Sequence, residues 1–369
     1  MSRPPARAPH PSLAAWTALR EHGRGRGAMV TLVRADGGTS KPVGAHLALA
    51  EDGRVYGSVT IGGCADGRAL TAAERVLRTG LRALLTVPLS EDDALALGLG
   101  CAGDVELLVE RVGFQAADPL ALARDAAESA LERGVRGVLV TPLGSTDGLL
   151  FVGEDGTRAG STGRAASNEA AATLAASALR AGDAATGVQV AAGERWLVQL
   201  LTPVRTLLIV GATEIAAALC AMVAPLGWRT VLIDSRDDLL AETRFAAAAE
   251  RHATLPAELV AERLGGASTA VVVVAHDYKV ELPVLRVALR SEAPYVGMLG
   301  SRKRAAGVRA LLADDGVSEA QLARLRTPIG LDIGAQGAVE IAVSIVAELI
   351  ATWRGVGTGS AARGAATSA

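Results

Sequence analysis

Two thiols stand among glycines. Cys64 follows Gly62 and Gly63, and Cys101 sits in Gly100-Cys101-Ala102-Gly103. Neighbours without bulky side chains let a large ligand reach the sulfur, and the amides of a turn favour thiolate. Taken singly, each cysteine also reads as a small packed hydrophobe; two of them flanked by glycines weigh toward function. Cys220 falls on the apolar face of an expected helix and reads as packing. Neither a CxxC pair nor a close Cys/His set exists, so zinc finds no obvious site.

A second group of reactive types lies in the carboxy-terminal half. His276-Asp277-Tyr278-Lys279 brings an imidazole, a carboxylate and an ammonium together, able to shift protons near neutral pH and to hold an anion. Asp277 is equally placed to cap a helix. Gly300-Ser301-Arg302-Lys303 offers amides, a hydroxyl and two cations, the ingredients of an oxyanion or phosphate site, or of an ordinary turn with solvated charges. Gly330-Leu331-Asp332-Ile333-Gly334 sets an acid between glycines, which suits a loop pressed on a ligand or on neighbouring backbone.

These residues need elements to carry them. The 369 residues exceed one ordinary domain and predict two, each with its own core. With 37 Lys+Arg against 39 Asp+Glu and 3% aromatics, nothing tracks a phosphate backbone or stacks bases, so nucleic acid is excluded as a partner. Three cysteines make no disulfide framework and cannot hold two iron-sulfur clusters, which take about eight thiolates. The chain is therefore expected to be cytoplasmic and reduced. The apolar run Ile341 to Ile350 is short and carries Glu348, far from a membrane span. The Pro- and Arg-rich start lacks the apolar core of a secretory signal. Residues 1–11 and 355–369 have no periodicity and are expected to be flexible tails.

In the first half, Leu13, Trp16 and Leu19 predict a helix over about 12–21, followed by strands at 29–34, 45–50 and 54–59. The order then returns: a helix at about 119–133, strands at 135–141 and 148–152, and a strand ending in Gly160-Ser161. EDGRVYGS at Glu51 to Ser58 matches EDGTRAGS at Glu154 to Ser161, which suggests an internal duplication. The copies diverge afterwards, because the first runs into Gly62-Gly63-Cys64 while the second has no cysteine. Chemistry is expected in the first copy.

From Thr206 onward, near-continuous apolar strands at 206–210, 230–233, 270–275 and 295–299 alternate with helices at 214–226, 280–290, 302–312 and 337–353. That pattern predicts a doubly wound parallel sheet. Val339, Ala342, Val346, Leu349 and Trp353 are expected to face its core. Ligands of such sheets bind past the carboxyl ends of the strands, where His276, Arg302 and the glycine loops fall. Gly211-Ala212-Thr213-Glu214 has the frame of a dinucleotide turn, but the Thr213 Cβ obstructs a pyrophosphate and Glu214 repels it, which argues against NAD(P). Asp234 closes the second strand, where an acid takes a ribose diol or caps the next segment.

Together these segments resemble the xanthine dehydrogenase accessory proteins, the XdhC/CoxI family of molybdenum cofactor chaperones. The likeness runs from about Ser12 to Arg354. It rests on GGTSKPVGAHLAL from Gly37, GSVTIGGC from Gly57, GCAGDVELLVE from Gly100, AHDYKVELP from Ala275, YVGMLGSRKR from Tyr295 and PIGLDIGA from Pro328. The resemblance implies an α/β protein. An amino-terminal α+β domain with the duplication and both thiol motifs would cover residues 12–200, followed by a Rossmann-like domain over 205–354. It implies a chaperone, more than a catalyst, that binds the molybdenum cofactor as molybdopterin or its cytosine dinucleotide. The cofactor would be held during sulfuration by a cysteine desulfurase-type sulfur donor and delivered to an apo molybdenum hydroxylase, with the chain acting as a homodimer. Matching positions are Gly62, Gly63, Cys64, Cys101, Gly211, His276, Asp277, Lys279, Gly300, Ser301, Arg302, Gly330, Asp332 and Gly334; Cys64 and Cys101 are its metal candidates. Ala65-Asp66, Ala102 and Thr213-Glu214 depart from the family pattern. Two other readings remain open: an NAD(P)-dependent oxidoreductase with His276 as acid/base, and a regulatory module sensing a nucleotide.

Overall fold

The computed structural model describes residues 10–23, 26–37, 41–60, 65–89, 103–114, 118–144 and 148–356. The chain divides into two compact units, Met1–Pro203 and Val204–Ala369.

The first unit consists of α1 (Ala14–His22), β1 (Arg26–Gly37), β2 (His46–Ala50), β3 (Val55–Gly57), α2 (Asp66–Thr79), β4 (Ala83–Leu89) and β5 (Gly103–Gly113), then a second round. That round is α3 (Pro119–Glu132), β6 (Gly137–Pro142), β7 (Leu149–Gly153), β8 (Arg158–Ser161), α4 (Ala165–Ala181), β9 (Gly187–Ala191) and β10 (Glu194–Leu201). The first sheet runs β3-β2-β1-β5-β4 and the second β8-β7-β6-β10-β9, the same antiparallel order twice. The duplication expected from the EDG turns is thus a duplication of topology. Gly57 and Gly160 mark its register: they have φ of +77° and +83°. A Cβ on either would strike a carbonyl of the adjacent strand, His46 O at 2.4 Å and Leu149 O at 2.2 Å.

One shared core joins the copies. Leu13, Trp16 and Leu19 pack with Leu120, Ala123 and Ala127 of α3 and with Met29, Leu139 and Phe151 of the strands. Each such large apolar side chain contributes about 1.5–3 kcal/mol through burial. Helix α2 covers the first sheet through Ala69, Ala73 and Val76, and α4 covers the second through Ala171, Ala175 and Ala178. Polar links also cross between copies. Trp16 donates to Asp125 at 3.1 Å, and Arg195 grips Glu106 at 2.6 and 3.0 Å.

The second unit carries six parallel strands: β11 (Thr206–Val210), β12 (Arg229–Asp234), β13 (Glu250–Ala253), β14 (Thr269–Val273), β15 (Tyr295–Met298) and β16 (Leu325–Arg326), in the order β13-β12-β11-β14-β15-β16. Its helices are α5 (Glu214–Val223), α6 (Asp237–Leu240), α7 (Pro256–Arg263), α8 (Tyr278–Leu289), α9 (Arg302–Asp314), α10 (Glu319–Ala323) and α11 (Gly337–Trp353). Successive strand residues point to opposite faces. Leu207, Ile209, Ala270 and Val272 meet α5 and α11, while Leu208, Val210, Val271 and Val273 meet α7, α8 and α9. This is the doubly wound sheet that the alternation of strands and helices predicts. Cys220 is buried against α11 and the sheet, and burial pushes its thiol up, so it is packing and not a nucleophile.

Two details differ from the sequence reading. Strands β13 and β16 are additional edge strands. The buried face of α11 is Ala342, Ile345, Glu348 and Leu349, whereas Val339 is 61% exposed. Glu348 turns inward because its carboxylate accepts the Gly330 amide and the Tyr295 hydroxyl, whereas the buried Ser344 hydroxyl donates to Ile341 O within α11. Val346 and Trp353 are partly buried against the same core, as expected.

Candidate functional site

Turns after four neighbouring strands, β11, β14, β15 and β16, bring Gly211, His276, Gly300 and Gly330 to one rim of the parallel sheet. After β11 the chain turns at Gly211, with φ +110°, and a Cβ there would lie 2.7 Å from Ala275 N and 2.9 Å from its Cα. The glycine lets two strand ends close on each other. Thr213, which occupies the position of the central glycine of a dinucleotide turn, is an N-cap: its hydroxyl accepts from Ala216 N at 3.3 Å. Asp234 holds that turn from β12. One carboxylate oxygen accepts Ala212 N at 2.8 Å, and both oxygens take the Arg236 guanidinium at 2.9 and 2.8 Å. Burial works against ionisation of Asp234, but the bonds from Arg236 and Ala212 outweigh it and lower its pKa.

After β14 and β15 the two helices α8 and α9 begin. Asp277 caps α8 by accepting Lys279 N at 2.9 Å, and Ser301 caps α9 by accepting Arg304 N at 3.2 Å. Asp277 and Ser301 thus have capping roles; each helix still presents amides and a positive dipole end at the rim. Lys279, Arg302 and Lys303 are exposed there and have no ion-pair partner among the described residues. At Gly300 an added Cβ would lie 3.3 Å from the Met298 methyl and 3.5 Å from Arg304 Cδ, close to ordinary contact, so this position does not demand glycine for space.

Arg304 was not singled out by sequence, because three consecutive cations do not reveal which one the helix turns inward. Its guanidinium donates to Glu281 Oε2 at 2.6 Å and lies 3.4 Å from His276 Nδ1 and 4.9 Å from the centre of the Tyr278 ring. Glu281 is 0% exposed. Burial raises its pKa, Arg304 opposes that shift, and Asp277 adds to it.

Gly330, with φ +93°, presses on α11: a Cβ would meet the Ser344 hydroxyl at 2.3 Å and the backbone at Ile345 N at 3.2 Å, and its amide donates to Glu348 Oε2 at 2.9 Å. Of the two alternatives for that loop, contact with neighbouring chain is what this glycine makes. Asp332 and Gly334 follow on the exposed part of the loop, with nothing within 4 Å of a Cβ at Gly334.

In the first unit, Gly62, Gly63, Cys64 and Cys101 lie outside the described residues. The residues that bracket the first thiol motif are tied together. Asp66 Oδ1 accepts Val59 N at 3.2 Å and the Thr60 hydroxyl at 3.1 Å, while Ala65 N donates to Thr60 Oγ1 at 3.3 Å. The second copy repeats the device without a cysteine: Asn168 Oδ1 accepts Thr162 N at 2.7 Å and its hydroxyl at 2.8 Å. Among the described residues no group of three or more His, Cys, Asp or Glu converges as a metal site.

A duplicated α+β unit followed by a Rossmann-type unit with a cationic rim defines the class of protein. The chain belongs to the XdhC and CoxI family: residues 21–88 match that family and residues 207–349 match the XdhC Rossmann domain. It is 26% identical over 329 residues to a Bacillus subtilis protein named as a probable xanthine dehydrogenase component, covering 88% of this chain and 92% of that one. It is 24% identical over 335 residues to the molybdenum cofactor insertion chaperone PaoD of Escherichia coli, covering 88% and 83%. A crystal structure titled a xanthine dehydrogenase from Bacillus halodurans shares the fold with a TM-score of 0.74 at 24% identity, over 95% of this chain and 97% of that one.

Proposed function

We propose that this protein is a molybdenum cofactor chaperone that binds the cofactor, holds it while its metal ligand sphere is completed with sulfide, and hands it to an apo molybdenum hydroxylase of the xanthine dehydrogenase type. The match along 88% of the chain to a relative named as an insertion chaperone carries this reading. In it, the cofactor is cargo. Its phosphate, whether of molybdopterin or of the cytosine dinucleotide, meets Lys279, Arg302, Lys303 and the amides at the start of α9, as anions do at helix N-termini. The thiols of Cys64 and Cys101 supply the soft donors that molybdenum or a transferred sulfur calls for. A cysteine desulfurase-type donor supplies the sulfur, and the chaperone works as a homodimer in the cytoplasm.

Two observations argue against a dinucleotide-dependent oxidoreductase. Asp234 is already engaged by Ala212 N and Arg236, which leaves a ribose diol without its usual acceptor, and the Thr213 side chain occupies the phosphate turn. The chaperone reading is tested by molybdenum and pterin content after purification from a host that makes the cofactor. Wild type is expected to carry both. A C64A/C101A variant is expected to lose molybdenum, and R302A to retain less pterin. A wild-type protein without pterin that binds NAD or NADP tightly would replace this reading with the oxidoreductase.

A further inference from the structure

The first turns of α8 and α9 are joined by an ion pair that no surface requires. Glu281 lies on α8, is 0% exposed, and has Oε1 buried without a hydrogen-bond partner among the described residues. Its other oxygen takes Arg304 of α9 at 2.6 Å. Burying such a pair is costly: a pair of apolar side chains in the same space is commonly as stable or more so. The arrangement therefore needs a reason beyond packing, and the remaining contacts of Arg304 supply one.

An arginine can only donate. Since Arg304 Nη1 lies 3.4 Å from Nδ1 of His276, that nitrogen is the acceptor, and the proton of the neutral ring resides on Nε2. His276 is exposed at the rim, so the hydrogen it offers a ligand is Nε2–H. We propose that Arg304, anchored by Glu281, is a positioning residue: it keeps His276 as a hydrogen-bond donor beside Lys279 and Arg302 and fixes the separation of the two cationic helix starts. Arg304 itself binds no cargo, because Glu281 neutralises it and Tyr278 covers it. A ring held in this form presents no bare Nε2 to abstract a proton, so the rim is built to hold an acceptor-rich group and not to perform base catalysis.

This inference rests on the cofactor-binding reading for its biological meaning but is tested separately from it. The chain has five histidines, and H276N identifies the His276 signals in nitrogen-15 spectra of the imidazole rings. In wild type the bare nitrogen is expected to be Nδ1. In the double variant E281L/R304L, which keeps the space apolar and leaves no unpaired buried charge, the fold and thermal midpoint are expected to persist while His276 shows a mixture of tautomers. Pterin retained on purification is expected to fall about tenfold, the equivalent of one oriented hydrogen bond to an ionised group. R304K keeps the charge with a single-point donor and serves if the double variant fails to fold; it is expected to show the same mixture of tautomers. A wild-type ring bare at Nε2, a tautomer unchanged in the variants, or undiminished pterin in a folded double variant would overturn the proposal. Wild type lacking pterin but showing the expected tautomer would instead count against the chaperone reading and leave the clamp standing.

Discussion

Tyr295 donates its hydroxyl to Oε2 of Glu348 at 2.5 Å, and the same oxygen accepts the Gly330 amide at 2.9 Å. A strand, the last helix and the loop carrying Asp332 are thereby fastened at one carboxylate that is 1% exposed. Burial and the nearby Glu348 both raise the phenol pKa, so Tyr295 stays a donor throughout the physiological range.

Replacing Glu348 with Ala leaves the Tyr295 hydroxyl and the Gly330 amide buried without a partner, which costs about 3 kcal/mol in total. Denaturant unfolding measures the loss, and amide exchange at Gly330 is expected to accelerate because its acceptor is gone. E348Q still presents an acceptor oxygen and is expected to recover most of the stability. Equal losses in both variants would show that the charge, and not the acceptor, holds the loop.

Two glycines in the same unit are expected to respond to alanine in opposite directions. At Gly211, φ of +110° and the 2.7 Å approach to Ala275 N leave no room, so G211A is expected to lose more than about 2 kcal/mol. Gly307 lies inside α9, and nothing stands within 4 Å of its added Cβ, so G307A is expected to gain about 0.5–1 kcal/mol. Thermal or denaturant unfolding of the two variants side by side checks both signs.

What the sequence disclosed follows the strength of its periodic signals. The EDG turns carried the duplication because each needs a positive-φ glycine, Gly53 and Gly156, at the same place in a repeated hairpin. The apolar runs at Thr206–Val210 and Thr269–Val273 reported central strands buried on both faces. Glu250–Ala253, by contrast, is a polar edge strand, and Leu325–Arg326 is two residues long, so neither has a hydrophobic pattern to read. The apolar spacing of α11 gives its place along the chain and most of its inward face, but not the exposure of Val339. Ala342, Val346, Leu349 and Trp353 lie on the core side as their hydrophobicity predicts, and the charged Glu348 joins them because it holds the Gly330 amide and the Tyr295 hydroxyl. The rim residues were legible as types that follow strands; that Arg304 turns inward while Arg302 and Lys303 face solvent depends on helical phase, which three adjacent cations hide.

A pH dependence is expected from His46 in the first unit. Its Nδ1 lies 3.0 Å from the Thr31 hydroxyl, and burial, reinforced by the Arg124 guanidinium, lowers its pKa from the ordinary value to about 3. The unfolded chain therefore takes up a proton near pH 6.5 that the folded chain refuses until about pH 3. The contribution of His46 is full above pH 6.5 and declines as pH falls, by up to about 1.4 kcal/mol per pH unit across that window. H46Q, which keeps a polar contact for Thr31 without the titration, is expected to flatten this limb of the stability curve. An unchanged slope would assign the acid sensitivity to other groups.

The duplication supplies an internal control for the residues that follow the first thiol motif. Asp66 and Asn168 do the same work in the two copies, each presenting Oδ1 to a strand-end amide and to a threonine hydroxyl. Because Asn168 does this without charge, D66N is expected to stay within about 0.5 kcal/mol of wild type, while D66A, which removes the acceptor, is expected to lose about 1 kcal/mol. N168A is expected to cost at least as much as D66A, since Asn168 makes the same two acceptor bonds and also donates Nδ2 to Ser161 Oγ at 3.3 Å. The two sites diverge in function: Asp66 follows the Gly62-Gly63-Cys64 motif and Asn168 follows no thiol. Pterin and molybdenum content are therefore expected to fall in D66A, persist in D66N, and remain at the wild-type level in N168A at equal stability. A loss of molybdenum in D66N equal to that in D66A would instead make the carboxylate charge of Asp66 part of the cargo site.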